Sequence, residues 1–262
     1  DLLKLSGVDS FRIVNCKFIN GAEKGSGIDM VGCHHGWIEG CIFKRLGNNS
    51  VQAKGGSQDI TIYRNYFKDG GARSLNLGGS TGYQYFRPED ASFEAADLYV
   101  YSNIFIGSGS PVCYVGSVNV DVVNNTIYNP ERWVVRILQQ TVDPDRFVEC
   151  GNNTFRNNII YYNGARSTVN IGPHTRPETF TFSSNLWYNS DNPQRSPNLP
   201  TDDPDMIVGE DPLFKNISGE NFGLEPGSPA VGVISYDGEP RKDFYGRAFD
   251  DPRSLGAIEY KK

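Results

Sequence analysis

The chain of 262 residues is long enough for one or two domains, yet only 38% of it is apolar, and its 29 glycines, 15 prolines and many asparagines disfavour a helical bundle. A formal charge of −6 argues against nucleic acid as the main partner and weighs mildly against a polyanionic substrate; no run approaches the eighteen or so apolar residues of a membrane helix. The five cysteines, Cys16, Cys33, Cys41, Cys113 and Cys150, show no metal-type spacing and read as small buried residues.

From the N-terminus, Asp1 to Ser10 runs straight into a first repeat with no capping helix. An open sheet end exposes unpaired strand edges, so an upstream segment or a second chain is expected to cover it. The repeat then returns as SFRIVNCKFING, HGWIEGCIFKRLG, DITIYRNYFKDGG, DLYVYSNIFIGSG, VDVVNNTIYNP, FRNNIIYYNG and FTFSSNLWYNS. Aligned, these phrases put Cys16, Cys41, Asn65, Asn103, Asn125, Asn158 and Asn185 in one column. Two residues later comes an apolar column of Phe18, Phe43, Phe67, Phe105, Ile127, Ile160 and Trp187. Between the copies lie short alternating segments whose inward residues begin with Ile28, Val51, Leu75, Val112, Val135 and Val169.

A unit of two or three short strands cannot bury its apolar face alone, whereas stacked units bury one continuous core. The expected fold is all-β: a right-handed parallel β-helix, with an aromatic ladder inside and an asparagine ladder at one corner. Two long column spacings, 65 to 103 and 125 to 158, predict two inserted loops, Gly79 to Ala95 and a stretch within Pro130 to Asn152. Long excursions of this kind often carry function and could wall one cleft. Residues 1–188 are expected to hold the coils. Residues 189–262 form a loop and closing segment of the same domain, in which Asn189 to Asp205 reads as a surface loop.

The phrases DPLF, LEPGSPA and LGAIEY resemble the closing segment of secreted bacterial β-helix proteins that act on polysaccharides. Residues 52–82, QAKGGSQDITIYRNYFKDGGARSLNLGGSTG, resemble the central coils of the chondroitinase B and alginate lyase family. That resemblance implies a secreted or periplasmic protein that cleaves or binds an acidic, uronate-containing polysaccharide. It implies β-elimination with Lys54 as catalytic base and an arginine assisting. Gly47, Asn48 and Asn49 stand where the family has calcium-holding glutamates, and Gly78 stands where its arginine would follow the Leu-x-Leu strand.

Eliminating a 4-linked uronate needs a base for the C5 proton and a group that neutralises the carboxylate. Arg73 is the expected partner of Lys54, with Gln52 and Asn76 donating hydrogen bonds. Asp29, Gln52, Asn76, Cys113, Arg136 and Asn170 fall in one outward column. Arg136, three coils from Lys54 or about 14 Å, suits a neighbouring sugar subsite. Around it, Arg132, Trp133, Gln139 and Gln140 could form a sugar-binding wall. In the first insertion Tyr83, Tyr85 and Arg87 offer stacking faces and a guanidinium fork, with Phe86 between them. His34 is a further cleft candidate, while His35 and His174 do not complete a metal triad with it.

A glycoside hydrolase would pair Asp29 with Glu89, Asp90 or Glu94. The other competing class is a binding or adhesin-like module without catalysis. The run Asp202, Asp203, Asp205, Glu210 and Asp211 reads as solvated loop carboxylates, with Ca2+ the alternative; no cofactor is otherwise expected.

Overall fold

The structure is a computed structural model that describes residues 1–164, 167–235 and 238–261. Over these residues the chain winds through three parallel sheets, adding one strand to each in every turn. Sheet A stacks Leu3–Ser6, Ser26–Val31, Asn49–Lys54, Arg73–Gly78, Ser110–Val115, Val135–Leu138 and Val169–Ile171. Sheet B begins Asp9–Val14, His34–Glu39, Ser57–Tyr63 and Ala95–Tyr101, and ends at Thr181–Ser183. Sheet C runs from Lys17–Ile19 to Leu186–Asn189 and takes one further short strand, Ile207–Val208. This is the right-handed parallel β-helix that the repeat predicts.

The two sequence columns face inward. Ile28, Val51, Leu75, Val112, Val135 and Val169 pair rung by rung and are at most 2% exposed. Phe18, Phe43, Phe67 and Phe105 stack at centroid separations of 5.0, 4.7 and 4.7 Å, nearly parallel. Each fully buried aromatic or aliphatic side chain contributes about 1.5–3 kcal/mol, which is how coils too small to fold alone hold together.

The corner between sheets B and C turns in two residues. The first, Asn15, Gly40, Arg64, Ser102, Asn124, Asn157 or Ser184, takes left-handed backbone with φ between 52° and 63°. The second is the ladder residue. From Asn103 to Asn185, each Oδ1 accepts from the main-chain N–H and the Nδ2 of the asparagine one rung earlier, at 2.8–3.1 Å. A tight corner strands backbone groups that no sheet can pair, and the amides satisfy them. The ladder starts weakly, from Cys41 Sγ to Cys16 N–H at 3.4 Å, and ends on Asp203, whose carboxylate accepts from Asn185 Nδ2 and the Ser184 N–H.

Asp203 is therefore a buried cap, which corrects its reading as a solvated carboxylate, while the rest of the Asn189 to Asp205 stretch apart from Asn189 is exposed or half-buried. In the same stretch Asn198 Oδ1 accepts from the Thr168 and Val169 N–H groups, and Thr201 Oγ1 donates to Phe180 O. The segment folds over the last coil and satisfies its edge, while Leu199 and Met206 pack on the core. Beyond it, Phe214, Phe222, Leu224, Leu255, Ala257 and Ile258 cover the outer face of sheet C, where Ile104, Ile106, Ile159 and Leu186 form a second core. Sheets A and B keep faces that the closing segment does not bury in this way.

Candidate functional site

Both insertions leave the corner between sheets A and B. They fill residues 79–94 and 139–153, between the strands given above and Thr154–Arg156. They pack on each other through Phe86, Ala91 and Phe147, with the Arg146 guanidinium 4.8–5.0 Å from the ring centres of Tyr83, Phe86 and Phe147. Tyr83 OH donates to Asp143 Oδ2 at 3.0 Å, a bond that, ahead of partial burial, raises the phenol's pKa.

One buried carboxylate holds this wall to the helix. Glu94, 1% exposed, accepts from the Gly55 N–H at 2.9 Å, the Thr81 N–H at 2.9 Å, Thr81 Oγ1 at 2.7 Å and Thr141 Oγ1. It thus joins a coil turn, the first insertion and the second. Its acceptor positions are filled by the protein, so it cannot serve the hydrolase pair with Asp29. Glu89 and Asp90 lie exposed on the loop.

His34 and Arg87 are likewise engaged with the loop. His34 Nε2 lies 3.0 Å from both Gly56 O and Arg87 O, and the Arg87 guanidinium donates to Phe86 O at 2.6 Å and Gln84 O at 3.3 Å. Of the first insertion's aromatic candidates, Tyr85 is left most open, 59% exposed against 46% for Tyr83.

Lys54 lies on the floor of a cleft of about 420 Å³ lined also by Lys4, Val31, Thr81, Gly82 and Tyr85. Its ammonium is 3.6 Å from Asp29 Oδ1, and Lys4 donates to the other oxygen of the same carboxylate, which is 7% exposed. The aliphatic stem of Lys54 packs where a Cβ on Gly79 would come within 3.2 Å. The sequence-based pairing of Lys54 with Arg73 does not form. Register aligns Arg73 with Asn49 and Leu77 with Ala53, so Arg73 enters the sheet five residues from the Lys54 position, about 16 Å along the strand. Gly78, which aligns with Lys54, has φ 111°, and a Cβ there would sit 1.8 Å from Val115 O. No arginine can occupy that position without moving the neighbouring coil.

Arg73 belongs instead to a cluster at the opposite edge of sheet A. It donates to Asn76 Oδ1 at 2.6 Å, while Asn49 Nδ2 holds Gln52 Oε1 at 3.3 Å. Asn76, Cys113, Arg136 and Asn170 follow one another rung by rung in one column, in which Asn76 and Cys113 are buried and Arg136 and Asn170 half-buried. Arg136 donates to Asn170 Oδ1 at 3.0 Å, and its guanidinium lies 4.5 Å from the centre of the Trp133 ring; Arg132 stands 5.3 Å from the same ring. Burial, and then the like charges of Arg73 and Arg132 against an opposing effect of Cys113, lower the Arg136 pKa. Among the described residues no carboxylate comes within ion-pair reach of Arg73, Arg132 or Arg136. Two guanidiniums beside an indole and a third close by, with no carboxylate partner among the described residues, can hold carboxylates or sulfates bidentately while a sugar ring stacks on Trp133.

Nor do the described residues gather three His, Cys, Asp or Glu side chains into a metal-holding group. The residues present do not fit the calcium that the resemblance brings, because Gly47, Asn48 and Asn49 supply no carboxylate. A family model described as right handed beta helix region matches residues 3–193. No curated protein matches the chain.

Proposed function

Because this chain belongs to the right-handed β-helix family, we propose that it recognises an acidic, uronate-containing polysaccharide on the outer face of sheet A. The observation that carries this reading is the pair Arg132 and Arg136 set against Trp133, with Arg73 near enough for its charge to act on Arg136, and with no carboxylate in ion-pair reach of the three among the described residues. Gathering like charges costs free energy in the unbound protein, and an anionic ligand that enters the cluster recovers it. Along the same face toward the insertions, the half-buried Gln52 offers an amide while Asn76 is buried beneath Arg73, and Lys4 and Lys54 outnumber the single carboxylate of Asp29. An extended polymer lying across the rungs would meet the guanidiniums first and the lysine cleft next. Such polymers are extracellular, so the reading makes the protein secreted or periplasmic.

Elimination is the second reading, favoured by the position of Lys54 on the cleft floor beside Tyr85. There the neutral Lys54 amine would take the C5 proton, the electron pair would form the C4–C5 double bond, and the C4–O bond would break with the leaving oxygen protonated by Tyr85 or water. Binding is the better supported of the two. Lys54 is ion-paired to Asp29, and the guanidinium expected to serve it lies at the other edge of the sheet.

Incubation with alginate, pectate and glycosaminoglycan chains, followed by ultraviolet absorbance, reducing-end assay and affinity electrophoresis, tests both. Retardation by an acidic polymer without new absorbance or reducing ends supports recognition. New absorbance that disappears in Lys54→Ala supports elimination. No interaction with any acidic polymer overturns the proposal.

A further inference from the structure

The outer face of sheet B carries a second surface, unrelated to the sheet A cleft in residues and in charge. Register puts Arg12, Trp37, Thr61 and Tyr99 in one outward column, with Glu39, Tyr63 and Tyr101 in the next. Trp37 and Tyr99 are therefore two rungs apart, about 9.6 Å, with only the short side chain of Thr61 between them. A depression of about 370 Å³ lies over that gap and is walled by Tyr63, Tyr101 and Glu239. Two more depressions continue it. One of about 560 Å³ shares Trp37 and Thr61, one of about 460 Å³ shares Tyr99, and both include His35 and Asp59. The three make one groove along the coils.

Its rings are held in advance. Trp37 Nε1 donates to Glu39 Oε2 at 2.9 Å, and Tyr63 meets Trp37 edge to face at 5.9 Å and 82° while its hydroxyl donates to Lys242 O at 3.0 Å. Tyr99 and Tyr101 lie 6.0 Å apart. Rings fixed before binding lose little entropy when a ligand arrives.

Arg12, whose guanidinium lies 6.0 Å from the Trp37 ring centre, and Arg64 both pair with Glu39, and with Asp59, Asp97 and Glu239 also lining the groove its charge is acidic on balance. Burial raises the Tyr99 pKa, and the carboxylates of Asp97, Asp59 and Asp121 add to it; burial chiefly pushes the Tyr63 phenol up to about 12, against the opposing charge of Arg64 and with Glu39 and Glu239 contributing. Carboxylates accept hydrogen bonds from sugar hydroxyls and repel a polyanion, while aromatic faces suit the apolar faces of pyranose rings. The span between the two aromatic rungs is close to that of two extended pyranose units. We propose that this groove seats an uncharged polysaccharide chain, with alternate sugar rings against Trp37 and Tyr99 and their hydroxyls donating to the surrounding carboxylates. The inference stands apart from the sheet A reading, since it uses none of the same residues.

Affinity electrophoresis of the whole chain in gels containing hydroxyethylcellulose, xylan, glucomannan or dextran tests it, with polyuronate gels run alongside. The unmodified protein should be retarded by at least one neutral polymer. Trp37→Ala and Tyr99→Ala should each weaken that interaction by roughly tenfold, the order expected for loss of one stacked ring. Thr61→Phe fills the gap while leaving both rings, and it should abolish retardation with thermal stability retained. Arg136→Ala should leave neutral binding unchanged. No retardation in any neutral gel, or retardation indifferent to Trp37→Ala and Thr61→Phe, overturns the proposal. So does retardation by polyuronate that depends on Trp37.

Discussion

Sheets A and B are built by the same alternation from the same coils, yet their outer faces carry opposite chemistry. On sheet A the outward column brings Arg136 beside Arg73, and Trp133 offers one ring amid guanidiniums. On sheet B it brings Trp37 and Tyr99 among the carboxylates of Glu39, Asp59 and Asp97. A solenoid fixes its interior by the repeat and leaves every outward position free, so each face is a separate surface. The formal charge of −6 averages the two and describes neither. Charge arithmetic over a whole chain is thus a poor guide to ligand charge when the charges are segregated by sheet.

The sharpest way to break the contrast is at Glu94. Glu94→Ala leaves four buried donors without an acceptor, and we expect a loss of about 3–5 kcal/mol in unfolding free energy. Both insertions should loosen together, so proteolysis within 79–94 and 139–153 should accelerate and acidic-polymer binding should fall, while Trp37 keeps its environment. Circular dichroism melts and limited proteolysis read this directly; a stability change below about 1 kcal/mol would show that the carboxylate is not what joins the insertions.

Next in size is the effect of charge on sheet A. Arg136→Glu should weaken acidic-polymer binding by about a hundredfold, and Arg73→Ala by about tenfold, in line with about 1.5–3 kcal/mol for a charge-assisted hydrogen bond. Raising ionic strength from about 0.01 to 0.15 M, which shortens the screening length from about 30 to 8 Å, should weaken the same interaction severalfold. Binding on sheet B should barely change with salt. Equal salt sensitivity on both faces would contradict the division.

The smallest effect concerns His35 at the sheet B rim. Its hydrogen bond to Asp59 Oδ2 at 2.6 Å, and then the charges of Asp9 and Asp59, raise its pKa above the ordinary 6.5. A raised folded-state value means that the contribution to stability is fully present below pH 6.5 and is lost as pH rises through the folded value. NMR titration should find His35 titrating above 6.5, and Asp59→Asn should bring it down. Unchanged titration in that variant would remove Asp59 as the cause. The pair is exposed, so the change in melting temperature should be slight.

The interior was legible in the sequence because the inward columns and the corner asparagines recur in each phrase. Phe18 to Phe105 and Asn65 to Asn185 could be aligned without knowing anything outside the repeat. The outer faces were only partly legible. The column through Asn76 and Arg136 follows from the alternation, but Arg73 was misjudged because its alignment with Asn49 depends on where the strand begins. Trp37 and Tyr99 went unread for a different reason. Tyr66, Tyr128, Tyr161 and Tyr188 occupy similar outward positions on sheet C, and there the closing segment packs against them. Whether an outward aromatic is covered or open depends on a distant part of the chain, as when Phe214 covers Tyr161 and Phe222 covers Tyr128. The structural role of Glu94 is hidden from the sequence for the same reason: its donors Gly55, Thr81 and Thr141 lie on three separate segments.

The central claim is that the sheet A guanidiniums read the carboxylates of the polymer. Isothermal titration of the unmodified protein and Arg136→Ala, each with a polyuronate and with the same polymer after its carboxylates are reduced to alcohols, tests it most directly. The account predicts that carboxyl reduction and Arg136→Ala each weaken binding to sheet A by at least tenfold, and that Arg136→Ala has no further effect on the reduced polymer. Equal affinity for the native and reduced polymers, or a loss in Arg136→Ala that persists undiminished on the reduced polymer, would contradict it.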